Sequence, residues 1–320
     1  MRVYSCGSGY RRILAEVTPL QRYIAEEIAT DHLDGLLSRR EALRRLGLLG
    51  IGATAAAALI AACGETKESA VGSAPGATSG AAPKPAEPPG IRGALPTSEV
   101  SWTGEGGELR GAWAAAPQPR GGVLVIHENR GLTDHIRSVA GRFAGIGYSA
   151  LAIDLLSAQG GTAAFADPAD ATAALSRIEP QEFITYLNSG IAELQRRVPG
   201  HKIAAVGFCM GGGLVWRLLA AGTPALAAAV PFYGPAPEDP DFAGSRDTAV
   251  LAFYGALDQR VNATEPVVRA ALEKAAMVHE LITEPDANHA FFNDTGNRYA
   301  PAAAADAWHR IQDWFNSHLA

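Results

Sequence analysis

The sequence predicts an α/β protein: a mostly parallel central sheet with helices covering both faces, built from residues 97–320. Two observations carry that expectation. From residue 123 onward, short continuous apolar runs alternate with amphipathic stretches, and strands covered on both faces read as unbroken apolar runs. One such run, 203–208, passes directly into a Gly-rich stretch and then a helical pattern, the junction at which a strand end can present a reactive side chain.

The elements follow in order. Residues 100–103 and 108–114 read as two antiparallel strands around a Gly-rich turn. Strands are expected at 123–127, 149–153, 203–208, 226–232, 250–254 and 279–283. Helices are expected at 133–146, with Thr133 as its cap, then at 182–198, from 209 through 221, at 263–275 and at 301–319. Residues 155–180 lie where a rim or lid over a pocket would form.

Composition bounds the rest. The chain has 320 residues, 48% of them hydrophobic and 19% charged, enough for a sizeable core. The net charge of −6 excludes a basic nucleic-acid footprint. Cys6, Cys63 and Cys209 have no metal-ligand spacing, and their odd number does not make a disulfide framework.

The N-terminal third is organised differently. Residues 1–37 form an extension without strand pattern; 18–46 read as one charge-rich amphipathic helix that runs past it, and 1–16 fit no element, which a start at Val17 would explain. Residues 38–63 have the layout of an export signal: Ser38-Arg39-Arg40, further arginines to Arg45, an uncharged run over 46–62, then Cys63. The run is short beside the ~20 apolar residues that span a bilayer. The Ser-Arg-Arg start resembles a twin-arginine signal, and Ile60-Ala61-Ala62-Cys63 resembles a lipobox. Both imply an exported chain lipid-anchored through Cys63 at the cell envelope; an uncleaved membrane helix is the other reading. Residues 64–96, rich in Ala, Gly, Ser and Pro, read as a flexible tether.

Three segments carry chemistry. Gly207-Phe208-Cys209-Met210-Gly211 has the Gly-x-nucleophile-x-Gly pattern of a sharp strand-to-helix turn, with Cys as nucleophile. Small residues are needed where the backbone doubles back. A sulfur at a helix N-terminus is favoured as thiolate, and the Met210 N–H can face a developing oxyanion. A buried structural cysteine in a Gly-rich turn would share the local pattern. Asp258, just past the strand at 250–254, has the place of an acid that orients a histidine, or of a loop Asp closing its own turn. His289, after the last strand, is the candidate base. His32, His135, His201, His279, His309 and His318 are less well placed. The order Cys209, Asp258, His289 is far more specific than any one member.

On these residues the chain resembles the dienelactone hydrolases, from about Glu99 to Leu319, most closely at Val206-Gly207-Phe208-Cys209-Met210-Gly211-Gly212 and Asn288-His289-Ala290-Phe291-Phe292. The resemblance implies an α/β-hydrolase fold, a Cys-His-Asp triad, no metal or organic cofactor, and cleavage of a small ester or lactone through an acyl-enzyme thioester, as in carboxymethylenebutenolidase. The segment Val125-Ile126-His127-Glu128-Asn129-Arg130-Gly131 resembles the family's strand-end stretch, which implies that Glu128 lies beside the thiol and helps generate the thiolate. Asn129 is placed to give a second oxyanion N–H. Arg130 is a candidate for a substrate carboxylate, or for a surface ion pair with Glu128. At position 293, where the archetype has an arginine, this chain has Asn, so its carboxylate-binding set departs from the pattern. The other readings are an esterase on linear or xenobiotic esters and a non-catalytic envelope lipoprotein on a hydrolase scaffold. A monomer acting on a small molecule is expected.

Overall fold

A computed structural model describes residues 17–64 and 87–319. The expectations for residues 1–16 and for most of the tether lie outside the described residues. The chain divides into two compact units, Met1–Glu87 and Pro88–Ala320.

In the first unit the described residues form α1 (Pro19–Leu33), α2 (Arg39–Leu48) and α3 (Ala53–Gly64). A capping box starts α1: Thr18 Oγ1 accepts from the Gln21 N–H, and Gln21 Oε1 accepts from the Thr18 N–H. The single helix expected over 18–46 is broken. Gly35 turns the chain at φ +76°, and Ser38 Oγ then accepts from the Glu41 N–H to start α2. Arg39 and Arg40 are exposed on its first turn. Glu41 is paired with Arg44 and Arg45, whose hydrogen bonds hold its carboxyl down at about 2. The apolar run 46–62 is also interrupted, by Gly50 at φ +80°. No helix among the described residues is long and apolar enough to cross a membrane.

The second unit has the α/β-hydrolase architecture. Its eight strands are β1 (Ser98–Gly104), β2 (Gly107–Ala114), β3 (Gly121–Ile126), β4 (Tyr148–Asp154), β5 (Ile203–Phe208), β6 (Leu226–Phe232), β7 (Ala249–Gly255) and β8 (His279–Glu284). Their order in the sheet is β1-β2-β4-β3-β5-β6-β7-β8. β2 pairs antiparallel with β1 and β4; every other pairing is parallel. β3, β4, β5 and β7 are buried along their whole length, as their unbroken apolar runs require. The helices are α4 (Asp134–Gly145), α5 (Pro168–Leu175), α6 (Pro180–Arg197), α7 (Met210–Ala220), α8 (Gln259–Asn262), α9 (Glu265–Lys274) and α10 (Pro301–His318). Thr133 is the N-cap residue of α4, but its side chain makes no capping bond.

Two local differences from the sequence reading have plain causes. Residues 88–96 belong to the folded unit. Gly141 and Gly145 of α4 let this segment lie against the helix: a Cβ on Gly145 would sit 2.0 Å from the Gly93 oxygen, and the Leu95 N–H donates to the Gly141 oxygen at 2.9 Å. Residues 155–180 contain the short α5, started by Asp167, whose side chain accepts from the Ala169 N–H. Asp167 and Pro168 are start signals of the kind that mark a helix.

Parallel strands with crossover helices bring the ends of β3, β5, β6, β7 and β8 to one edge, the carboxyl edge where α/β sheets place their sites. Glu284 closes β8 just before the loop that carries His289. Burial, with the neighbouring Asp306 carboxylate, pushes its carboxyl up to about 7. The folded chain therefore holds a proton that the unfolded chain has released between about pH 4.5 and about 7, and folding stability falls as pH rises through that window. Glu284→Gln is expected to flatten the decline, read as the urea midpoint against pH; equal slopes in variant and parent would contradict it.

Candidate active site

The position of Cys209 is set by backbone crowding. Cys209 stands between β5 and α7 with φ 55° and ψ −116°, a conformation that costs a non-glycine residue about 1–3 kcal/mol. It is held there because the chain passes very close to its neighbours. A Cβ on Gly207 would meet the Gly211 oxygen at 2.1 Å; one on Gly211 would meet the Ile126 oxygen at 2.3 Å; one on Gly212 would meet the Phe232 oxygen at 2.4 Å. The first turn of α7 is thus wedged between the ends of β3 and β6. The Cys209 N–H donates to the Phe232 oxygen at 3.1 Å. Met210 is the first residue of α7, so its N–H has no acceptor within the helix.

Asp258 and His289 meet across two neighbouring loops. Asp258 follows β7 and caps α8, its Oδ1 accepting from the Val261 N–H at 3.2 Å. Its Oδ2 accepts from His289 Nδ1 at 2.6 Å, with both side chains buried. Burial acts to raise the Asp258 carboxyl, but the charge and hydrogen bond of His289, with Arg260 and the Val261 N–H, outweigh it and hold it below the ordinary range. Asp258, accepting from Nδ1, fixes that nitrogen as a donor and leaves Nε2 on the opposite side of the ring. A His289 ring nitrogen lies within 4.8 Å of Cys209 Sγ, and contacts of this kind tighten when substrate is bound. The structure therefore brings together the three residues singled out in sequence.

The other candidates separate. Glu128 is buried at the end of β3; its Oε2 accepts from Asn293 Nδ2 at 2.6 Å, and its Oε1 has no partner. His127 shapes this turn. The Leu155 N–H donates to its Nε2 at 3.1 Å, so Nδ1 carries the proton and donates to the Glu128 oxygen at 2.6 Å. Burial draws its pKa down, which keeps it neutral in that role. Asn129 is half-buried, and its carbonyl accepts from Thr172 of α5 at 2.8 Å, which pins α5 to the turn after β3. Arg130 is exposed on the turn, and no ion pair among the described residues joins it to Glu128. The surface pair considered in sequence is replaced by the buried Glu128–Asn293 bond. A hollow of about 350 Å³ beside β1 and β2, lined by Arg110, Arg137 and Asp154 among others, includes no triad residue. Within Pro88–Ala320, no three His, Cys, Asp or Glu side chains among the described residues converge as a metal site.

Two residues packed around the triad escaped the sequence reading. Tyr233, directly after β6, packs edge-on against the His289 ring with centroids 5.2 Å apart. The Phe-Tyr-Gly end of that strand was its only signal. Asp294 braces the His289 loop from behind, binding His135 Nδ1 at 2.7 Å and Arg142 Nη2 at 2.5 Å. Burial opposes its charge, yet the His135 bond and Arg142 bring its carboxyl to about 2. No local signal marks it, since its partners come from α4.

The profile of the dienelactone hydrolase family matches residues 109–319. The "Putative carboxymethylenebutenolidase" of Escherichia coli O157:H7 is 33% identical over 229 residues, covering 66% of this chain and 84% of that protein. A crystal structure described as a putative dienelactone hydrolase of Klebsiella pneumoniae superposes with a TM-score of 0.60 at 29% identity, covering 68% of this chain and 99% of that one. A dienelactone hydrolase-like promiscuous phosphotriesterase from metagenomic libraries gives a TM-score of 0.62 at 26% identity, covering 71% and 100%.

Replacing Asp294 by Asn leaves the buried Arg142 cation without its counter-charge, which costs about 3 kcal/mol. Asp294→Asn is expected to lower the urea midpoint accordingly and to loosen the His289 loop. A variant as stable as the parent would remove Asp294 from the account of how that loop is held.

Proposed function

Because the chain belongs to the dienelactone hydrolase family, we propose that it cleaves small carboxylic esters or lactones with Cys209 as nucleophile. The observation that carries this is the aligned Cys209, His289 and Asp258, with Asp258 fixing the histidine proton away from the sulfur. The buried Glu128 carboxylate, whose Oε1 has no partner, draws the proton from the thiol when substrate enters, so that the Cys209–Glu128 pair carries one negative charge instead of two repelling ones. As Sγ bonds to the substrate carbonyl carbon, His289 Nε2 takes that proton and Asp258 stabilises the imidazolium. The carbonyl oxygen, now an oxyanion, receives the Met210 and Asn129 N–H groups. The tetrahedral adduct collapses; the C–O bond breaks and His289 gives its proton to the departing alkoxide. Water, deprotonated by His289, then hydrolyses the thioester and returns the thiol.

Asn293 bears on substrate. It is neutral and spends its amide on Glu128, and Arg130 points to solvent. No cation stands at position 293 to hold a carboxylate, so neutral esters and lactones are the proposed class, and dienelactone itself a poor substrate. Phosphotriesters belong in the panel because of the metagenomic relative.

The test is hydrolysis of neutral lactones, linear aryl esters, dienelactone and a phosphotriester by the parent, Cys209→Ala and Asp258→Asn. Cys209→Ala is expected to be inactive, and Asp258→Asn reduced on the order of 10³–10⁴-fold in kcat. Activity that survives in folded Cys209→Ala rejects the thiol mechanism. No activity in any arm favours a binding lipoprotein.

We also propose that residues 38–63 direct export and that Cys63 is lipid-modified, which rests on the Ser38-Arg39-Arg40 start and the Ile60-Ala61-Ala62-Cys63 stretch. Cys63→Ser is expected to shift the protein from the membrane fraction to the soluble one and to abolish metabolic labelling with palmitate. Unlabelled parent protein would end this reading.

A further inference from the structure

Tyr233 is fully buried, and its hydroxyl has no hydrogen-bond partner. Buried hydroxyls are ordinarily paired, and one left unpaired detracts from stability. Its backbone also stands at φ 37°, which non-glycine residues seldom adopt. Two unfavourable features at one residue are the mark of a position kept for function.

The ring has no freedom to find a partner elsewhere. His289 and Phe291 meet it edge-on at 5.2 and 5.3 Å, Phe232 at 5.8 Å, and Phe208 lies at 6.3 Å. The Tyr233 N–H is tied to the Phe253 oxygen at 2.8 Å, and the Phe292 N–H faces the phenol oxygen without closing a hydrogen bond. The titratable groups around it are Glu128 from the turn after β3, Cys209 from the elbow, and His289 and Asp294 from the loop after β8. Burial first, then the charges of Glu128, Cys209 and Asp294, push the phenol well above its ordinary range, so it stays a neutral donor. Glu128 has a matching vacancy, because Oε1 is buried and unpartnered while Asn293 occupies Oε2.

We propose that Tyr233 is a positioning residue for the nucleophile: its buried, unpartnered hydroxyl is held in reserve for the negative charge that forms on Cys209 and stabilises the thiolate. No proton is transferred; the phenol donates its hydrogen bond only once the thiolate has formed and keeps its proton. The proposal rests on Cys209 being the nucleophile.

The experiment is the rate of iodoacetamide alkylation at the Cys209 peptide, followed by mass spectrometry against pH on the full chain, for the parent and Tyr233→Phe. The phenylalanine keeps the ring and its packing and removes only the hydroxyl. The alkylation midpoint is expected to rise by about one pH unit, as for loss of a hydrogen bond to a charged form. kcat should fall with KM little changed, and Tm should be equal or higher because an unpaired buried hydroxyl is gone. Superimposable alkylation curves overturn the proposal, whether or not Tm changes. Should Tyr233→Phe not fold, 3-fluorotyrosine placed at 233 by codon suppression is a stronger donor and must lower the midpoint; an unmoved midpoint overturns the proposal equally. Alkylation does not depend on turnover, so hydrolysis surviving in Cys209→Ala would sink the proposed function by a separate readout.

Discussion

The close passage of backbone past backbone at the end of β5 is the constraint on which the site depends. Gly207, Gly211 and Gly212 each lie where a single added carbon would collide with a carbonyl oxygen of the elbow itself, of β3 or of β6. Because the surroundings leave no room to relax, Cys209 is kept at a positive φ that it would not adopt alone. The same wedge aims the amino end of α7 at the sulfur, where the helix dipole and unpaired N–H groups favour negative charge. Geometry and electrostatics at Cys209 thus come from one packing arrangement.

The opposite wall is built differently. The loop after β8 has little regular structure, yet its successive residues are fastened to separate parts of the unit. The Ala287 oxygen accepts from the Leu257 N–H at 2.9 Å, His289 holds Asp258, Asn293 holds Glu128, and Asp294 holds His135 and Arg142 of α4. Two of its residues, Asp286 and Ala290, stand at φ 56° and 61°. With Cys209 and Tyr233, four of the five non-glycine residues at positive φ among those described lie in the segments that form the site. A base on an irregular loop can be as fixed as one on a strand when its neighbours are tied down.

What could be read in the sequence follows from the range of each interaction. β5 and β6 begin and end where their apolar runs do, because a strand buried on both faces announces its limits. Cys209, Asp258 and His289 were legible because their order along the chain and their places after strands reflect the topology of the sheet. Asp294 was not: its partner His135 is 159 residues away, and nothing beside either residue betrays the pairing. Tyr233 was hidden because burial and the want of a partner are properties of the folded chain alone. The break between α1 and α2 had local signals in Gly35 and Ser38, which the charge periodicity across them obscured. Residues 88–96 resemble a tether because small residues suit both a flexible linker and a close approach to a helix.

The bond between Asn293 and Glu128 has a consequence for how this site can diverge. The side chain at 293 grips the Glu128 carboxylate, and under the proposed mechanism that carboxylate acts on the Cys209 thiol. A cation introduced there to admit acidic substrates would also quench that carboxylate, so selectivity and intrinsic reactivity are not independent dials. Any lineage or design that retunes one at this position must repair the other in the same step, and viable routes run through paired changes at 128 and 293.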